Sequence, residues 1–128
     1  MNHILWNMFS NIRNAQLSKK LIIFQKNNYV CTEILNILWN EGFILGYKVC
    51  KSNSKILKIF LKYKTKTPAI NSLTLLTKPG ARFYYSSKQI WKLNLTKGAV
   101  ILSTNKGFLT LDECKKLKIG GEPFLIVK

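Results

Sequence analysis

The sequence predicts an α/β (α+β) fold in two small subdomains: an N-terminal α-β-α-β-β layer and a C-terminal β-rich subdomain with short helices. Two early stretches repeat their apolar residues at helical spacing, whereas the later apolar residues alternate or cluster in short runs. Between these textures lies Lys64-Thr65-Lys66-Thr67-Pro68, polar, basic and without apolar periodicity, which marks a boundary between residues 1–66 and 67–128. The length of 128 residues suits one ordinary domain or two very small ones sharing a core.

The first helix is expected from Ile4 to about Leu17, where Ile4, Leu5, Met8, Phe9 and Ile12 share a face. Leu21-Ile22-Ile23-Phe24 is a β-branched run and reads as a strand. Asn27-Asn28 supplies a turn and a candidate N-cap for a second amphipathic helix, Tyr29 to Asn40, which Gly42 ends. Phe43 to Cys50 and Ile56 to Tyr63 follow as strands joined by the turn Lys51 to Ser54. In the second of these, Leu57, Ile59, Leu61 and Tyr63 alternate with Lys58, Phe60 and Lys62, giving one core face and one basic, solvated face. Beyond the boundary, strand-like Leu73 to Leu76 and Ala81 to Tyr85 flank the turn Lys78-Pro79-Gly80. Ser87 to Leu93 is a short helical stretch, and Ala99 to Leu102 and Phe124 to Val127 read as strands. Thr110-Leu111-Asp112-Glu113 spells a capping box, so a helix should run from Leu111 to about Leu117.

Composition narrows the class of function. Lys and Arg total 21 against five Asp and Glu, a net charge of +16, yet 47% of residues are hydrophobic. That apolar content excludes a disordered basic tail, and the self-repulsion of such a folded chain suits a polyanionic partner. The cations are 19 Lys and only two Arg, alongside 12 Asn and 14 Ile. Lys, Asn and Ile share A- and T-rich codons, so genome composition explains the lysine excess. Arg13 and Arg82 then stand out as survivors at positions that need a planar fork. Cys31, Cys50 and Cys114 are far apart and His3 is the single histidine, which argues against disulfides and zinc clusters; no metal or cofactor is expected. The apolar runs are too short to span a bilayer, and the N-terminus does not read as a transit peptide. The expectation is a soluble chain made where it works, with no membrane partner.

Ser103-Thr104-Asn105-Lys106-Gly107 is the most specific stretch, set between a buried strand and a capped helix. Small hydroxyl and amide side chains beside a glycine can approach a sugar-phosphate backbone closely, and Lys106 adds charge. Gly120-Gly121-Glu122 is a second turn with accessible backbone. On composition alone, both stretches are equally ordinary hairpin or helix-entry turns. Arg82 among Phe83, Tyr84 and Tyr85 interleaves cation and aromatic, a pattern suited to stacking on unpaired bases, although Phe83 and a tyrosine could instead alternate into the core. Trp6, Trp39 and Trp91 fall inside helical stretches and read as core or interface. No catalytic constellation emerges. Gly98 to Lys106 lacks the phosphate-loop pattern, Asp112 and Glu113 are adjacent on a helix and point apart, and Ser103 has only the distant His3 as base.

Five motifs in order resemble the small-subunit ribosomal protein S-eight family over nearly the whole chain. They are Met8-Phe9-Ser10-Asn11-Ile12-Arg13-Asn14-Ala15, Asn40-Glu41-Gly42-Phe43-Ile44, Lys78-Pro79-Gly80-Ala81-Arg82-Phe83-Tyr84, Ser103 to Thr110, and Gly120-Gly121-Glu122. The resemblance implies a non-enzymatic protein of two α/β domains that binds the central domain of small-subunit ribosomal RNA (rRNA), beside neighbouring ribosomal proteins and without a small-molecule substrate. It assigns the RNA-facing loop to Ser103, Thr104, Asn105, Lys106 and Gly107, and its supporting turn to Gly121 and Glu122. Tyr84, Arg82 and Arg13 also fall on family positions. Asn105 stands where the family usually has serine, and Leu111 where it usually has an acid. The Lys, Asn and Ile drift points to an organelle-encoded, mitochondrial member, with a bacterial cytoplasm as the alternative. Rival functions are a small basic RNA-processing enzyme and a generic nucleic-acid-binding protein.

Overall fold

Leu5, Met8, Phe9, Ile12 and Ala15 recur every three or four residues, and in the computed structural model of the chain that stripe is buried along helix α1, Asn2–Leu17. The structure describes residues 2–75, 85–92 and 98–128. They divide into two units, Met1–Ile70 and Asn71–Lys128.

In the first unit α1 is followed by β1 (Ile22–Lys26), α2 (Tyr29–Asn40), β2 (Ile44–Val49) and β3 (Ile56–Leu61). Asn28 caps α2 by accepting the Val30 backbone N–H at 3.0 Å. At the other end Gly42 adopts φ +80°, its N–H bonds to the Trp39 carbonyl, and the Phe43 N–H reaches back to the Leu38 carbonyl. This double closure is the Schellman ending, and it turns the chain directly into β2. The three strands pair antiparallel in the order β1-β3-β2. Ile23, Ile44, Leu57, Ile59 and Leu61 are buried with Ile34, Leu35 and Leu38 of α2. Leu21 stays outside the strand and is exposed, so β1 starts one residue later than its apolar run.

Residues 64–68, the expected boundary stretch, belong to a hairpin. Tyr63–Lys64 (β4) and Thr67–Pro68 (β5) pair antiparallel around Thr65 and Lys66, both with positive φ, 46° and 69°. That is the left-handed pair a two-residue hairpin demands, here without glycine, which is why it does not announce itself in the sequence. The hairpin belongs to the first unit, which runs to Ile70. Tyr63 leaves the core alternation of β3, and its hydroxyl donates to the Lys20 carbonyl at 2.6 Å.

The second unit contains β6 (Leu73–Leu75), α3 (Ser87–Lys92), β7 (Ala99–Thr104), β8 (Gly107–Thr110), α4 (Leu111–Leu117) and β9 (Glu122–Val127). Its four described strands run antiparallel in the order β6-β9-β7-β8. Ile90, Leu102, Leu111 and Cys114 form a buried cluster that joins α3 and α4 to β7, with Tyr85, Val100 and Leu109 packed against it. A register shift between Ile101 and Leu102 sets Pro123 opposite Leu102, at an irregularity where a strand tolerates proline. The capping box forms: the Thr110 hydroxyl accepts the Glu113 N–H at 3.3 Å, and Glu113 Oε1 accepts the Thr110 N–H at 3.4 Å. The turn expected at residues 78–80 and most of the strand expected at 81–85 lie outside the described residues.

Candidate nucleic-acid interface

β7 and β8 meet in a tight turn whose shape is fixed by one hydroxyl. Thr104 pairs with Gly107 across the hairpin and leaves Asn105 and Lys106 at the tip. The Thr104 hydroxyl donates to the Gly107 carbonyl at 2.8 Å and accepts the Lys106 backbone N–H at 3.1 Å. Gly107 takes the left-handed position, φ +100°, from which β8 departs. Thr104 thus does the local bonding, and the exposed side chains of Asn105 and Lys106 are not used by the turn itself.

Gly121 lies against the base of this hairpin. It exchanges two backbone hydrogen bonds with Tyr85, at 2.8 and 2.9 Å. A Cβ on Gly121 would fall 2.8 Å from Thr104 Cγ2 and 3.0 Å from the Ser103 carbonyl oxygen, so the close approach requires glycine. Glu122, the next residue, stands opposite Ser103 in the β7–β9 ladder. One of its carboxylate oxygens, Oε1, is shut away from solvent without a hydrogen-bond partner among the described residues.

The site residues expected from sequence divide accordingly. Ser103, Thr104, Asn105, Lys106, Gly107, Gly121 and Glu122 come together at one end of the second unit's sheet. Arg13 is exposed on α1 of the first unit. Arg82 and Tyr84 lie outside the described residues. The sequence reading assigns no strand between the Ser103–Gly107 turn and the helix starting at Leu111, and so misses β8. The signal was present: a turn of polar residues and glycine between two β-prone runs is a hairpin pattern. It also missed Tyr85 as the strand-like partner of Gly121.

The assembled chemistry is that of recognition. A hydroxyl, an amide, an ammonium group and the backbone of two glycines can meet phosphate, sugar and base edges in an irregular nucleic acid. Several of the groups able to do more are otherwise engaged. Glu113 Oε1 accepts the Thr110 hydroxyl at 3.1 Å as part of the cap. Cys31 and Cys114 are buried, and burial pushes both thiols up, with the nearby Glu113 charge adding to the effect at Cys114. Among the described residues, no group of three His, Cys, Asp and Glu is placed to hold a metal ion. No helix among them is long and apolar enough to cross a membrane.

The fold and this polar hairpin define a small basic α+β chain that gathers polar groups at one end of a sheet. The family model described as Ribosomal protein S8 matches residues 3–127. Small ribosomal subunit protein uS8 of Wolbachia pipientis subsp. Culex pipiens is 42% identical over 115 residues, covering 87% of this chain and 86% of its own length. The uS8 protein of Geotalea uraniireducens is 38% identical, covering 90% and 89%. Small ribosomal subunit protein uS8m of Acanthamoeba castellanii is 35% identical, covering 95% and 96%. The chain belongs to the ribosomal protein S8 family.

Proposed function

We propose that this chain is a structural constituent of the small ribosomal subunit, binding the central domain of its rRNA and supporting subunit assembly and translation. The carrying observation is the hairpin clamped by Thr104 and packed on Gly121, which presents Ser103, Asn105 and Lys106 at one sheet end. A regular A-form duplex hides its base edges in a narrow major groove, so such a tip suits a distorted helix, read through the minor groove and 2′-hydroxyls. Glu122 fits the same reading as a positioning residue: it stands opposite Ser103 in the β7–β9 ladder and flanks Gly121, on which the hairpin packs. The net charge of +16 supplies the sequence-independent attraction and makes binding fall steeply with salt.

Within this reading the second unit, with Arg82 and Tyr84, is the rRNA-binding part, Arg13 contributes from the first, and neighbouring ribosomal proteins are the other partners. Catalysis has no role in it, and neither a small-molecule substrate nor a cofactor enters. The proposed location is the mitochondrial ribosome, supported by the Lys, Asn and Ile composition and the likeness to a uS8m protein. The bacterial relatives, at 38% and 42% identity, keep a bacterial ribosome as the alternative.

The test is binding of the full chain to a central-domain rRNA fragment against a scrambled duplex of equal length. Replacing Ser103, Asn105 and Lys106 together with Ala should abolish the preference and leave the unfolding midpoint unchanged, since Thr104 continues to hold the turn. Retained selectivity in that triple variant would overturn the site assignment. Cleavage of labelled RNA by the pure protein, with or without divalent metal, would replace it with the RNA-processing reading.

A further inference from the structure

The three-stranded sheet of the first unit has one face that neither helix covers. Residues directly opposite in an antiparallel ladder share a face. The register therefore sets Ile22 with Phe60, Phe24 with Lys58, Lys26 with Ile56, and Lys48 with Lys58 on the side away from buried Ile23 and Ile59. Phe24 is 60% exposed and Ile22 38%, a concentration of apolar surface that a solvated sheet does not need. A shallow hollow of about 300 Å³, lined by Phe24, Gln25, Lys26, Lys55 and Ile56, opens at one end of this face.

The charges on it are one-sided. Lys48 and Lys58 stand directly across from each other, an arrangement of like charges that costs stability. Both ammonium groups lean over the Phe60 ring, at 5.9 and 5.5 Å from its centre, which offsets part of that cost. Lys26 and Lys55 add to the cluster. The acids of the first unit, Glu33 and Glu41, lie on α2 and at its C-terminal end, on the covered side of the sheet. Four lysines around two aromatic rings, with no carboxylate among them, call for a partner that is both polyanionic and flat-faced.

We propose that this open sheet face binds an unpaired RNA segment, a base of which stacks on Phe24 while Lys26, Lys48, Lys55 and Lys58 meet its phosphates. A duplex keeps its bases stacked on each other and offers a sheet only its backbone. A single strand offers ring faces, and ring stacking tolerates any sequence. The platform is separate from the hairpin of the second unit and does not depend on that site's assignment.

The experiment uses the full chain carrying the Ser103, Asn105 and Lys106 substitutions, so that binding to a short mixed-sequence single-stranded oligoribonucleotide reports the platform. Phe24→Ala should weaken that binding about tenfold, from the loss of one stacked base, and Phe24→Tyr should restore it. The double change Lys48→Ala with Lys58→Ala should lower the salt slope by about 1.4, the share of two phosphates on a single strand. An RNA duplex of equal length should bind no less well to Phe24→Ala than to the unsubstituted platform. Unchanged oligoribonucleotide affinity in Phe24→Ala would overturn the proposal. So would a Phe24-dependent preference for an acidic polypeptide, which would make the face a protein dock. Phe24 is largely exposed, so its loss should leave the unfolding midpoint in place; if the midpoint falls, the lysine pair decides the question.

Discussion

The two larger sheets among the described residues are built from similar strands and offer opposite opportunities. In the first, β1 and β3 bury only alternate residues: Ile23, Leu57, Ile59 and Leu61 are inside, while Ile22 and Phe24 remain open. In the second, consecutive Ile101 and Leu102 are both buried, and so are consecutive Phe124 and Leu125. A strand buried on both sides has no face left to present. Its exposed polar groups gather instead at a strand end, where β7 turns into β8 and Gly121 presses against it. The half-open sheet can instead work as a surface. The same chain therefore holds a small, nearly neutral, shape-defined tip and a broad, basic, aromatic plane.

Three measurements would break or sharpen that contrast. The largest effect should come from Ile59→Ala, fully buried on the covered side of the first sheet: about 2–5 kcal/mol of unfolding free energy by denaturant titration. If it costs no more than the exposed Phe24→Ala, the two faces are not as distinct as the burial pattern makes them. Next, Gly121→Ala forces a Cβ against Thr104 and Ser103, which should cost about 1–3 kcal/mol by overpacking and loosen rRNA selection with it. A stable variant with unimpaired selection would show that the hairpin does not lean on Gly121. The smallest effect is a pH dependence. Burial raises the Cys31 and Cys114 thiols above their ordinary values, so the folded chain holds these protons more tightly than the unfolded one. Their stabilising contribution is complete below the ordinary thiol pKa and is lost as pH rises toward the raised, folded values. Thermal melts through that alkaline window should fall more steeply for the native chain than for Cys114→Ala.

The sequence disclosed whatever depends on local repetition. α2 runs from Tyr29 to Asn40 as its spacing predicts, Thr110 and Glu113 form their cap, and the alternation of β3 names Leu57, Ile59 and Leu61 as buried but wrongly adds Tyr63. What escaped was set by pairing at a distance or by backbone strain. The Thr65-Lys66 turn uses left-handed residues that are not glycine, so its polar spelling imitates a linker. Trp6 and Trp39 sit at helical positions but remain about half exposed, 54% and 49%. Trp39 lies against Gly46, with its indole within 3.2 Å of where a Cβ would be, a contact made across from helix to strand and invisible to helical periodicity. For the site, the residues of the turn were legible by type, and their grouping with Gly121 and Glu122 came from family likeness. The ladder that puts Glu122 beside Ser103 exists only once β9 has paired with β7.

The Thr104 hydroxyl bonds the tip twice, once as donor and once as acceptor, before any partner arrives. Its side chain has little rotational freedom left to lose, and the Lys106 amide already has an acceptor. A ligand docking here meets a mould already set, so the entropy of ordering these residues is not subtracted from its affinity. If the proposed function holds, reshaping on contact falls to the more pliable of the two molecules, the nucleic acid.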